Sequence, residues 1–161
     1  MSYRLNNILK NSKYLVTNHS SVQTTSSSSG TFVTLLGSEI SYKPSENASK
    51  VIYEISFYSE KQGVTFTSAF LEHYVSGTWS EINQKYRKNW GLGGTNTNQM
   101  YRWPTYWRFV LPSWTGERNL RIRLGHSAAN RQINLHQITD WDGAGSVTNR
   151  FCNTSLFVYS I

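Results

Sequence analysis

Residues 50–58 read KVIYEISFY. Val51, Tyr53, Ile55 and Phe57 fall on one side of an extended chain, and Ile52, Glu54, Ser56 and Tyr58 on the other. This alternation has the period of a β-strand, whose successive side chains point to opposite faces. The second face is mixed, so it is expected to be only partly solvated.

The same period recurs outward in both directions. Upstream, residues 31–36 form a short β run closed by Gly37, and residues 39–42 a second one stopped by Lys43-Pro44. Downstream, residues 64–74 are strand-like with Phe66 and Phe70 on one side, and Gly77 marks a hairpin turn before Trp79. Residues 91–94, GLGG, and the Asn and Thr residues after them read as a long loop. Residues 100–111, MYRWPTYWRFVL, put Trp107, Phe109 and Leu111 on one face and Arg108 on the other. Pro104 within this run demands an edge position, a bulge or a break, because proline has no N–H for a ladder. In residues 119–125, Leu120, Ile122 and Leu124 face inward while Arg121 and Arg123 face out. A further strand is expected over 133–138, a turn at DWDGAG (140–145), and a closing strand over 155–161.

That closing strand is apolar on both faces: Leu156 and Val158 on one, Phe157, Tyr159 and Ile161 on the other. It must be covered twice, either as a central strand of one subunit or with its second face against neighbouring subunits. Phe157, Tyr159 and Ile161 are therefore expected at a trimer interface. About eight to ten short, regularly spaced strands predict an all-β fold, specifically a jelly-roll-type antiparallel β-sandwich with a short N-terminal arm.

The arm is residues 1–14, MSYRLNNILKNSKY. Leu5, Ile8 and Leu9 can share one side of a short helix, with Arg4, Lys10 and Lys13 on the other. So short a helix is marginal alone and orders against a partner. Residues 1–18 are thus expected to be an anchoring arm that docks on a capsid, and 19–161 the sandwich domain. Residues 19–30, with TTSSSSG, fit either a flexible linker or, as preferred here, an edge strand around Val22 with a loop after it. No secretory-signal pattern is read at the N-terminus. No apolar run approaches the roughly 18 residues of a membrane span, so no membrane partner is expected. Asn18, Asn47 and Asn153 open Asn-x-Ser triplets, read as chance products of a Ser- and Asn-rich chain.

Composition agrees with the strand pattern. Aromatic residues make up 14% of the 161, which suits pleated, half-buried surfaces and argues against disorder. Cys152 is the sole cysteine, so no internal disulfide can form, and it reads as a small buried hydrophobe. Net charge is +7, and the surplus is concentrated. Between residues 82 and 139 stand Lys85, Arg87, Lys88, Arg102, Arg108, Arg118, Arg121, Arg123 and Arg131, with Glu117 the only acid. Half of the weight goes to an unspecialised basic surface. The other half goes to an anionic partner: an acidic capsid face, an anionic glycan or nucleic acid.

Signals for catalysis are thin. The only aspartates, Asp140 and Asp142, sit together in a turn, which Asp and Gly favour without any calcium ion. His19, His73, His126 and His136 have no zinc spacing, no G-x-S-x-G elbow is present, and GLGG lacks the lysine of a phosphate loop. No enzymatic activity, metal or cofactor is expected. Of the six tryptophans, Trp79, Trp90, Trp103, Trp107, Trp114 and Trp141, most are expected in the core or a subunit interface. Trp103 and Trp114 lie near turns and near Arg102 and Arg118, which makes these four a candidate ligand-binding surface for glycan or protein. The aromatic patterns of nucleic-acid modules are missing, so that partner is not favoured.

Residues 24–57, TTSSSSGTFVTLLGSEISYKPSENASKVIYEISF, resemble a pattern of phage and large-DNA-virus structural proteins. Its parts here are Phe32-Val33-Thr34-Leu35, Ile40-Ser41-Tyr42-Lys43-Pro44 and Ser49-Lys50-Val51-Ile52-Tyr53 after a Thr/Ser-rich start. Trp141-Asp142-Gly143 and the closing SLFVYSI look like the ends of such domains. The resemblance implies a fold similar to the tumour-necrosis-factor-like jelly roll, a homotrimer, and a place in the virion as a decoration, minor capsid or fibre-head protein. It carries over no catalytic residues. With no fibre shaft in the chain, a capsid-attached structural role is expected, contacting other virion proteins. The alternative is a host-attachment module that binds a surface glycan through Trp and Arg loops.

Overall fold

The computed structural model describes residues 11–25, 30–62, 66–91, 100–126, 133–141 and 147–161. Through them run β1 (Lys13–Thr17), β2 (Gln23–Thr24), β3 (Val33–Thr34), β4 (Ile40–Tyr42), β5 (Lys50–Gln62), β6 (Phe66–Val75) and β7 (Thr78–Glu81). They continue with β8 (Lys88–Gly91), β9 (Met100–Pro112), β10 (Arg118–His126), β11 (Ile133–Leu135), β12 (Gln137–Trp141), β13 (Val147–Phe151) and β14 (Thr154–Ser160).

β5 is the spine of the first sheet. One edge pairs with β9 along its whole length, from Lys50 opposite Pro112 to Gln62 opposite Met100. The other edge is shared by β14 and β11, which are bordered in turn by β1 and β2. In the second sheet β10 pairs with β6 from Asn119–Tyr74 to His126–Thr67. β3 and β4 share the far edge of β10, and β7 and β8 the far edge of β6. All these pairings are antiparallel. The orders β1-β14-β5-β9 and β4-β10-β6-β7 put β1 beside β14 and interleave early with late strands in an all-β antiparallel sandwich.

The inward residues make one core. Val51, Tyr53, Ile55 and Phe57 of β5 join Trp107, Phe109 and Leu111 of β9, Leu120, Ile122 and Leu124 of β10, and Leu156 and Val158 of β14. Each fully buried aliphatic side chain there contributes about 1.5–3 kcal/mol. Two buried tyrosines also satisfy their hydroxyls: Tyr53 donates to the Ser38 carbonyl at 2.5 Å, and Tyr42 to the carbonyl of Asn11.

The expected strands are found, with instructive differences. β9 runs straight through Pro104, which is tolerated because this strand lies at the sheet edge. Ser76 (φ 53) and Gly77 (φ 83) turn β6 into β7, the positive-φ pair of a tight hairpin. The run expected as one strand over 133–138 is split at His136, whose φ is +66. β11 stays in the first sheet, while β12 leaves to pair with β13. Hydrophobic periodicity carries no sign of a left-handed residue that is not glycine. The edge strand near Val22 is β2. Residues 13–17, given to the arm by the helical spacing before them, form β1 and hydrogen-bond to β14. Arg4, Leu5, Ile8, Leu9 and Lys10 lie outside the described residues, as do most of the GLGG loop and the turn residues from Asp142.

Gly37 closes the run after β3 at φ +79, and a Cβ there would stand 2.8 Å from Thr154 Cβ and 3.0 Å from Thr17 Cβ. Gly77 has a similar φ of +83 but open space around it. Gly37→Ala is therefore expected to destabilise well beyond the ~1–2 kcal/mol of the left-handed conformation alone, and Gly77→Ala by about that amount. Urea unfolding of the two variants measures the difference; equal losses would mean that the Thr154 contact gives way freely.

Candidate functional site

The strand pairing sets out the outer face of the first sheet as rows. Val16, Ser155, Ser56 and Tyr106 form one row, Tyr14, Phe157, Glu54 and Arg108 the next, and Tyr159, Ile52 and Val110 a third. Tyr14 is 62% exposed, Tyr106 60%, Val16 48% and Val110 42%. Phe157 and Tyr159 are half-buried, and Ile161 at the end of β14 is exposed. The rings brace one another: Tyr14 meets Phe157 edge-on at 6.2 Å, and Phe157 lies 4.9 Å from Tyr159. At the centre Arg108 Nε sits 3.1 Å from Glu54 Oε1, to which the Tyr159 hydroxyl also donates at 3.4 Å. An exposed apolar field around a paired charge is the composition of an interface rather than of a solvated sheet.

Phe157 and Tyr159, singled out from the closing strand, thus lie together on this face. Tyr14, Val16, Tyr106 and Val110 were missed. Tyr14 and Val16 alternate within KYLVT, but the helical spacing upstream masked that signal. Tyr106 and Val110 join the face only through the register of β5 with β9.

A second feature lies at one end of the sandwich, where the chain passes from β9 to β10. Trp114, Arg118 and His73 border a cleft of about 340 Å³ floored by Leu111, Leu120 and Ile82. The Arg118 guanidinium lies 5.3 Å from the Trp114 ring centroid, a cation–π contact. Arg118 Nη1 is 3.5 Å from His73 Nδ1. Arginine only donates, so Nδ1 accepts and the His73 proton sits on Nε2. Burial and then the Arg118 charge lower the His73 pKa, which keeps the ring neutral.

Of the expected binding surface, Trp114 and Arg118 therefore come together. Arg102 and Trp103 pair by backbone with Glu60 and Ser59, roughly 30 Å along β9 from this cleft at strand spacing. Several other cations are already committed. Arg87 is bidentate to Glu81 at 2.8 and 2.7 Å, and Arg121 reaches Glu72 at 2.7 Å while stacking 3.9 Å from Trp79. Lys13, expected in the docking arm, opens β1 and donates to the Ser41 carbonyl at 2.7 Å. Among the described residues, Arg118 has no carboxylate partner.

A third cluster is buried where the two sheets meet. His136 and His19 stack with centroids 3.7 Å apart and planes 7° from parallel. Thr154 Oγ1 lies 3.0 Å from His136 Nδ1 and 2.9 Å from His19 Nε2. Gln23 Oε1 lies 3.1 Å from His136 Nε2 and accepts from the Leu36 N–H at 2.9 Å. Gln23 Nε2 donates to the Thr34 carbonyl at 2.6 Å, which fixes the amide orientation. His136 Nε2 must then donate, its Nδ1 accepts from Thr154, and Thr154 accepts from His19 Nε2. These hydrogen bonds form with both rings neutral. Burial first, and His19 second, push the His136 pKa down to about 3. The cluster ties β1, β2, β3 and β14 together at the seam.

No family model matches the chain, and no curated protein matches it. Among solved structures, the chain is similar to the enzymatically active domain of tailspike protein 4 of Bacteriophage CBA120. The TM-score is 0.34 at 10% identity, covering 81% of this chain and 19% of that one. The chain therefore spans less than a fifth of that protein's crystallised length. That domain is enzymatically active, and this overturns the expectation that the present chain is not an enzyme. At so low a score the likeness assigns no activity in its place.

The histidine cluster gives a definite pH dependence. The unfolded chain binds a proton on His136 near 6.5, whereas the folded chain refuses it until about 3. Stability is therefore lost progressively as pH falls through that window and is fully present above it. Urea midpoints measured from pH 7 to pH 4 are expected to fall, and His136→Asn, which tolerates the positive φ, to flatten the slope. An unchanged slope in that variant would place the responsible proton elsewhere.

Proposed function

We propose that this chain is a structural protein of a virus particle that assembles as a homotrimer through the outer face of its first sheet. The carrying observation is the exposed field of Tyr14, Val16, Tyr106 and Val110 around half-buried Phe157 and Tyr159. A β-sheet face with this composition is costly to leave in water and is stabilised by burial against copies of itself. The virion assignment is supported by the resemblance of residues 24–57 and by the all-β antiparallel sandwich. β1 borders this face, and residues 1–10, which precede it in sequence, supply the arm that docks the trimer on neighbouring capsid proteins.

A second role is favoured by the cleft beside Trp114 and Arg118: attachment to an anionic surface glycan. It is compatible with the first, since a trimer buries the sheet face and leaves the strand ends clear.

Light scattering coupled to size exclusion tests the assembly. A trimeric mass is expected at micromolar concentration. Tyr106→Lys and Val110→Lys, at exposed positions, are expected to shift it to a monomer that keeps the far-UV circular dichroism of a folded β protein but melts at a lower, concentration-independent temperature. A monomeric native protein would sink the trimer. Deleting residues 1–10 is expected to leave the trimer intact and abolish its incorporation into particles; normal incorporation would remove the arm from the docking role.

A further inference from the structure

We infer that the cleft between Trp114, Arg118 and His73 is a binding site for a carboxylated sugar unit, with Arg118 receiving the carboxylate. This rests on the attachment reading and gives it a ligand chemistry.

The walls of the cleft carry donors. Arg118 brings a guanidinium with no carboxylate partner among the described residues. His73 is held as the Nε2–H tautomer by the guanidinium on its Nδ1, so its remaining ring nitrogen can only donate. Trp114 Nε1 is a buried N–H with no hydrogen-bond partner. A buried donor left unpaired costs about 1–3 kcal/mol. No aspartate or glutamate lines the cleft. The nearest acid in the chain, Glu117, lines a separate pocket, with its carboxylate 3.9 Å from Lys13 Nζ. The cleft is thus positive, and nothing within it supplies a counter-charge.

The floor is of the opposite character. Ile82 and the indole, both partly exposed, present carbon surface over the buried Leu111 and Leu120, and Ser113 lines the cleft beside them. A ligand that fits both parts has one apolar ring face and an oxyanion, with hydroxyls toward the rim. A volume of about 340 Å³ lies at the lower end of small-ligand pockets and admits one sugar ring rather than an extended chain. An inorganic anion alone would satisfy the donors but leave the apolar floor wet. A neutral sugar would cover the floor but leave Arg118 unpaired.

The test uses the full chain in ¹H–¹⁵N NMR titrations with three probes: a galacturonate trisaccharide, its methyl ester, and sodium sulfate. The trisaccharide is expected to move the Trp114 indole resonance (assigned by Trp114→Phe) and to bind at least about tenfold tighter than the ester or sulfate, as a charge-assisted pair requires. Arg118→Gln is expected to remove that preference while leaving the melting temperature unchanged, and salt to weaken binding of the acid selectively. Equal binding of acid and ester overturns the carboxylate assignment and leaves glycan attachment standing. Sulfate as strong as the trisaccharide overturns the sugar. No response to any probe overturns the site, and particle adsorption by the Arg118→Gln protein then decides the attachment reading separately.

Discussion

β5 is hydrogen-bonded along both edges, and this constraint organises the rest of the molecule. A strand in that position can shift neither register nor face, because a slip by one residue would turn Val51, Tyr53, Ile55 and Phe57 out of the core. Its neighbours β9 and β14 are thereby fixed in height, and their own alternation follows. Phe109 is brought opposite Tyr53, and Val158 opposite Tyr53 from the other side. The same register that builds the core also dictates what stands outside it.

The outer face is therefore a by-product of core register that has acquired its own chemistry. Glu54 lies between Phe157 and Arg108 because its inward neighbours must face the second sheet. The ion pair with Arg108 and the hydroxyl of Tyr159 make that carboxylate tolerable in an apolar field. A pair of this kind adds little to stability at a surface, but once covered it penalises misaligned partners.

Much of this was legible in the chain. The alternation at 50–58 and 119–125, the edge character of Pro104, and the two apolar faces of residues 155–161 each translate directly into an observed feature. The candidate surface was half legible. Trp114 and Arg118 are close in sequence across a turn, so their meeting could be anticipated, whereas Arg102 and Trp103 are carried to the other end of β9 by the length of the strand. The concentration of basic residues at 82–139 is partly offset in the fold, where Glu54, Glu72 and Glu81 come from outside that stretch to pair with Arg108, Arg121 and Arg87.

By itself the sequence determined the fold class, because side-chain direction in a strand is a local property with a period of two, and a lone cysteine and two aspartates confined to one turn leave the core to apolar packing. Only the tertiary structure decided which side chains share a surface. The left-handed turn at His136, the stacked histidines, the pairing of β1 with β14, and the cleft around Arg118 all depend on contacts between residues far apart in the chain. Such contacts are set by which strand hydrogen-bonds to which, and no local period encodes that choice.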